Sequence, residues 1–174
     1  VGITYNLKCE KCHYSIDVIE GVGYADSPNS VFYGRSGDPD ANWSIAFPDG
    51  ICEDGEPLLK EYVEDSAICD TVFEMIGKGG CPSTDYGHEL YRCKECDSLE
   101  NHFHFKIVEG HKQYEPSFSC KLCTGNLERI IVGNGRFVVD DDIKKYDEVD
   151  GIVHLKCPKC EEEFLKYVQV LFWD

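Results

Sequence analysis

Eight of the eleven cysteines fall into four CxxC pairs: Cys9 with Cys12, Cys93 with Cys96, Cys120 with Cys123, and Cys157 with Cys160. A tight turn carrying CxxC aims two sulfurs at one point, so two such turns complete a tetrahedral four-thiolate metal site. Four turns therefore predict two sites and two bound ions. Zinc is the expected metal, with iron as the alternative, because a four-thiolate set accepts either. A disulfide scaffold fits less well, since the cysteine count is odd and the first thirty residues carry no basic segment followed by an apolar one. Thioredoxin-type redox chemistry would place a CxxC at the start of a helix, whereas each pair here is flanked by strand-like sequence.

Around these pairs lie residues that could assist or compete. Lys11, Lys94, Lys121 and Lys159 sit in the four turns and could offset the net negative charge of a zinc ion with four thiolates. Of the spare cysteines, Cys69 falls on an apolar helical stripe and reads as a small buried hydrophobe. Cys52 and Cys81 lie in loops, where either could join a further metal site with His88, His102, His104 or His111, although none stands at a recognised ligand spacing. His102 and His104 alternate with Phe103 and Phe105, which puts both imidazoles on one strand face, where proton transfer would need a carboxylate such as Glu115 beside them.

The elements that must position the cysteines follow from the flanks. "ITYNLKCEKCHYSIDVIEG", "ELYRCKECDSLENHFHFKIVEG", "SFSCKLCTGNLERIIVG" and "IVHLKCPKCEEEFLKYVQVLF" form a weak internal repeat of strand, cysteine turn and return strand. Alternation places Ile3, Tyr5 and Leu7 on one face, while "FLKYVQVLFW" is apolar almost throughout and predicts a strand covered on both sides. Residues 21 to 55, rich in Gly, Pro, Asp, Asn and Ser, predict turns and loop with a short strand at "WSIAF". "EPLLKEYVEDSAICDTVFEMIGKGG" predicts helices, with Pro57 in a first turn, Ser66 as a cap, Gly77 to Gly80 as the stop, and a stripe of Ile68, Cys69, Val72, Phe73 and Ile76. The expected fold is α+β, mainly antiparallel β, in one compact unit. Terminal CxxC hairpins occupy 1–20 and 152–174, a helical insertion 56–80, and a central ribbon 88–135.

Three pairings of the four turns are open to sequence. Twenty-three residues separate Cys96 from Cys120, a length suited to one ribbon-like site, which leaves the first and last turns to share the other and clamp the chain ends. The rival joins the first turn with the second and the third with the fourth. "LYRCKEC", "FSCKLC" and "LKCPKC" resemble the knuckles of zinc-ribbon and rubredoxin-like proteins, and the chain as a whole resembles uncharacterised bacterial zinc-ribbon proteins. That resemblance implies short antiparallel ribbons, each holding one structural metal between two knuckles. Family knuckles commonly carry Gly after the second cysteine, where this chain has His13, Asp97, Thr124 and Glu161.

The formal charge of −16, from 33 acidic and 17 basic residues, argues against direct nucleic-acid binding. No apolar run reaches membrane-spanning length, so the reading is a cytoplasmic protein. No HExxH, GxSxG or phosphate loop occurs, and two complete sets of four cysteines describe closed sites. The expected function is a zinc-stabilised binding or adaptor protein that engages a protein partner without catalysis of its own. The alternatives are iron electron transfer, an acidic mimic of nucleic acid, and an enzyme using metal or the His102/His104 pair.

Overall fold

The computed structural model describes residues 2–23, 26–34, 57–133, 136–139, 152–162 and 164–173. Cys52, the "WSIAF" segment and the acidic run at 140–142 lie outside the described residues.

Each CxxC turn joins or opens strands, as the repeat predicts. β1 (Gly2–Lys8) and β2 (Ser15–Glu20) flank the first turn, and β10 (Ile152–Lys156) and β11 (Phe164–Trp173) flank the fourth. They form one antiparallel sheet in the order β10-β11-β1-β2, with β1 paired to β11 from Gly2↔Trp173 to Lys8↔Lys166. A register shift after Asn6↔Gln169 leaves Val168 as an extra residue on β11. β4 (Gly87–Cys93) and β5 (Leu99–His104) flank the second turn, and β8 (Leu127–Gly133) follows the third and pairs with β9 (Arg136–Val139). Their sheet has the order β5-β4-β8-β9. Before the third turn the predicted strand is reduced to a single bridge, Ser119↔Asn126.

"NHFHFKIVEG" is not one strand. It divides into β5 and β6 (Ile107–Glu109), and β6 lies between β3 (Cys81–Pro82) and β7 (Lys112–Tyr114) in a third, small sheet. β11 also departs from expectation. Phe164, Val168, Leu171 and Phe172 are exposed while Leu165 is fully buried, so this apolar strand is not covered on both sides.

Three helices are described. α1 (Pro28–Tyr33) falls where sequence predicted loop, although its signals are present. Ser27 caps it by accepting from the Ser30 amide, Pro28 opens it, and Gly34 closes it at φ 66°. α2 (Leu59–Tyr62) is one turn long, and α3 (Ser66–Gly77) is capped by Asp65 rather than Ser66, the Asp65 carboxylate accepting from the Ala67 amide. The predicted α3 stripe is the buried face: Cys69 and Val72 are buried, and Ile68, Phe73 and Ile76 pack beside them.

Two apolar cores result. Leu7, Val18, Leu155 and Leu165 from the first sheet meet Leu90, Leu99 and Ile130 from the second. Val31, Phe32, Leu59, Val63 and Val72 from the helices meet Phe103, Phe105 and Ile107. Where the sheets meet, Gly21 and His88 exchange backbone hydrogen bonds of 3.0 and 2.8 Å. Asn101 on β5 accepts from the Ile19 amide at 3.0 Å and donates to the Asp17 carbonyl at 2.7 Å, tying β2 to the second sheet.

Candidate metal centres

The two sheets bring the eight paired cysteines into two groups. Cys9, Cys12, Cys157 and Cys160 form one, Cys93, Cys96, Cys120 and Cys123 the other, and within each the sulfurs all lie within 4.8 Å of one another. First therefore stands with fourth and second with third, because β1 pairs with β11 and β4 with β8.

The turns are alike at the level of single bonds. The residue after each second cysteine donates its amide to the carbonyl of the first cysteine: His13 to Cys9 at 3.0 Å, Asp97 to Cys93 at 3.1 Å, Thr124 to Cys120 at 2.9 Å and Glu161 to Cys157 at 2.9 Å. Closing so tight a turn requires a left-handed backbone, and these four residues have φ of 57–61° although none is glycine. In the first three turns the amide of the first cysteine donates to a carbonyl beyond the turn at 2.8 Å, from Cys9 to Tyr14, from Cys93 to Ser98 and from Cys120 to Gly125.

The sulfurs fit a tetrahedral cation. Bonds of about 2.3 Å require sulfur–sulfur edges of about 3.8 Å. The measured edges are 3.7 Å for Cys9–Cys160 and 3.5 Å for Cys12–Cys157, then 3.4 Å for Cys93–Cys123, 3.6 Å for Cys96–Cys120 and 3.5 Å for Cys96–Cys123. A disulfide would need about 2.05 Å. Each group could thus hold one metal ion, zinc or iron.

Electrostatics points the same way. Hydrogen bonds from the Ser98 hydroxyl and amide, then from Cys123, draw the Cys96 thiol down to about 6. The Gly125 amide favours the Cys123 thiolate, but the competing sulfurs of Cys93 and Cys96 hold that thiol up to about 12. Burial, and then the sulfurs of Cys12 and Cys160, push Cys157 up to about 12 against the amides of Cys160 and Lys159. Ionising one sulfur hinders the next, and a divalent cation at the centre removes that conflict.

Three of the four turn lysines pair with glutamates. Lys11 pairs with Glu162, Lys94 with Glu128 at 3.2 Å and Lys121 with Glu64 at 3.3 Å, while Lys159 is exposed. At the central group the Glu95 amide lies 3.4 Å from Cys93 and the Leu122 amide 3.3 Å from Cys120, and both can donate to thiolate. Ser98, which sequence reading missed, places its hydroxyl 3.1 Å from Cys120 and 3.3 Å from Cys96. Its only sequence signal is a position two residues beyond a CxxC.

The remaining candidates are dispersed. Cys69 is buried with its sulfur 3.7 Å from the Val63 carbonyl, Cys81 is exposed on β3, and His111 is exposed in the turn before β7. His102 stacks on Phe118 at 4.3 Å and faces Glu100 at 3.2 Å, and His88 lies edge-on to Tyr62 and Phe103. Burial lowers the affinity of both imidazoles for a proton.

His104 is fully buried. Its Nε2 is approached by Arg129 Nη1 at 2.8 Å and by Asp85 Oδ2 at 3.3 Å, and its Nδ1 by the Tyr91 hydroxyl at 3.2 Å; because a guanidinium only donates and makes the shorter contact, Nε2 is assigned as acceptor and Nδ1 as the protonated nitrogen. Burial and then Arg129 keep this imidazole neutral. Arg129 also donates to Asp85 at 2.9 and 3.0 Å and to Glu89 at 2.8 Å, while among the described residues its Nε and Glu20 Oε1 are buried without a hydrogen-bond partner.

No protein-family model matches the chain, and no curated protein or solved structure does either. Among the described residues, no helix is long and apolar enough to cross a membrane.

Proposed function

We propose that this is a zinc-binding protein whose two four-cysteine sites are structural and whose strands present a surface to a protein partner. The observation that carries the reading is the closure of both sites by four thiolates. A catalytic zinc keeps one position for water, usually with His or carboxylate ligands, and four sulfurs leave none. Cys9 and Cys157 sit in the apolar core between the sheets, which supports a metal that holds the fold together. Beside the central site, a cleft of about 420 Å³ is lined by Tyr62, His88, His102, Phe103, Phe118 and Lys121. Tyr62 stacks on Phe103 at 4.8 Å there, and aromatic walls of this kind suit a partner's anchoring side chain.

One observation favours a second reading, proton transfer at His104, because Glu115 Oε1 lies 3.8 Å from His104 Nδ1. Complete burial of the imidazole and its engagement by Arg129 favour a packing role instead. Native mass spectrometry with elemental analysis, on untagged protein prepared without added metal, decides the main reading. Two zinc ions are expected. Iron with visible absorption would move the function to electron transfer, and no metal would overturn the reading. Once a partner is identified, strong salt dependence of its binding would point to acidic mimicry.

A further inference from the structure

The two groups offer the same four sulfurs but unequal access. In the terminal group Cys9 and Cys157 are buried and Cys12 and Cys160 half-buried, whereas in the central group Cys96 and Cys123 are exposed. The terminal four belong to the core between the sheets or pack against it, and the central four lie outside both cores. Oxidation of metal-bound sulfur follows thiolate character and exposure, so two otherwise equal sites should differ in lability.

Resting on the metal reading above, we propose that Cys96 and Cys123 form an oxidative modification site, at which a hydroperoxide joins them as a disulfide and expels the central ion while the terminal ion stays. Their sulfurs are 3.5 Å apart and need only a short approach to bond. The oxidant class follows from charge, since a chain of net charge −16 repels anionic oxidants but not a neutral hydroperoxide.

Cys123 is the first sulfur attacked. The Ser98 hydroxyl is shared between Cys96 and Cys120 and lowers the nucleophilicity of both, whereas the nearest hydroxyl to Cys123, on Thr124, is turned to the Cys123 carbonyl at 2.6 Å and leaves the Gly125 amide as the donor to that sulfur. The Cys123 thiolate attacks one peroxide oxygen, the O–O bond breaks, and sulfenic acid and hydroxide form. The Cys96 thiolate then attacks that sulfur and displaces a second hydroxide. The two sulfurs lose two electrons in all, the peroxide gains them, and the ion is left with two ligands and departs.

The test uses the full chain, first shown by native mass spectrometry to hold two zinc ions. Hydrogen peroxide is added, released zinc is followed with a chromogenic chelator, and disulfides are mapped by peptide mass spectrometry. The expected result is loss of one ion with a Cys96–Cys123 bridge, the second ion persisting about tenfold longer. A thiol reductant with added zinc then restores the starting mass. Ser98→Ala, which keeps all eight sulfurs, should leave the rate of the first release unchanged, because the Ser98 hydroxyl touches Cys96 and Cys120 and not Cys123; a several-fold faster release would place the first attack on Cys96 or Cys120 and overturn the order. Equal release of both ions, or a first disulfide within the terminal group, overturns the proposal alone. A protein that begins with fewer than two ions overturns the metal reading and this proposal with it.

Discussion

Four non-glycine residues stand in a left-handed conformation, and each closes a cysteine turn. An L residue there costs roughly 1 kcal/mol relative to glycine, so the chain carries this strain four times over. Thr124→Gly and Glu161→Gly should each raise the stability of the metal-loaded protein by about 1 kcal/mol in denaturant titrations. Asp97→Gly should gain less, because Asp97 also accepts from Arg92 Nε at 2.8 Å. Glu20 gives a pH prediction. Burial, then the charge of Glu89, raises its carboxyl from 4.5 to about 7, with a Tyr5 hydrogen bond opposing. A folded state that holds the proton more tightly than the unfolded chain loses stability as pH rises from about 4.5 through about 7. Glu20→Gln should remove that loss and be more stable than the parent by about 1 kcal/mol at pH 8, the difference shrinking to nothing near pH 4. Arg129 faces the opposite problem. Arg129→Met leaves Asp85, Glu89 and the His104 Nε2 without their shared donor and should cost about 3 kcal/mol, read as a fall in denaturation midpoint.

At the scale of elements, the sequence signals were strongest where a local rule is sufficient. The CxxC turns, the α3 stripe and the alternation in β1 each depend on neighbours within a few residues. α1 was legible in "SPNSVFYG" through its cap, proline and closing glycine, but a Gly- and Pro-rich surrounding outweighed them. The division of "NHFHFKIVEG" was not legible, because Phe103, Phe105 and Ile107 all face one core while Phe103 pairs in one sheet, Ile107 in another, and Phe105 lies between the two strands. The junction between the two large sheets gives the prediction at this scale. Gly87 has φ 147°, and a Cβ there would meet the Gly21 backbone at 3.0–3.1 Å. Gly87→Ala should therefore cost about 2 kcal/mol and speed hydrogen exchange at the Gly21 and His88 amides, leaving both metals bound.

Seen whole, the two large sheets share one plan. The strand before one cysteine turn pairs antiparallel with the strand after its partner turn: β1 with β11, β4 with β8. Outside these lie the strands that follow the earlier turns, β2 and β5, and at the far edges β10 and β9. β9 takes the place that a strand before the third turn would fill, which explains why that strand has shrunk to a bridge. The terminal site joins residues near both ends of the chain across this plan. Cys9→Ser should lower the metal count from two to one by native mass spectrometry and reduce the melting temperature, since the lost ion closes the longest loop.

The sequence by itself determined the eight sulfurs, their two-by-two grouping into turns, the mainly antiparallel β class and the helical stripe. Those follow from residue type and short-range period, which operate before any distant contact forms. Only the tertiary structure decided which turns share a centre, that His104 is buried against Arg129, and that two cysteines of one site are exposed where their counterparts in the other are half-buried. Such properties belong to pairs of segments up to 151 residues apart, as with Cys9 and Cys160. They arise from sheet pairing and the packing of one sheet on another, which no local pattern encodes.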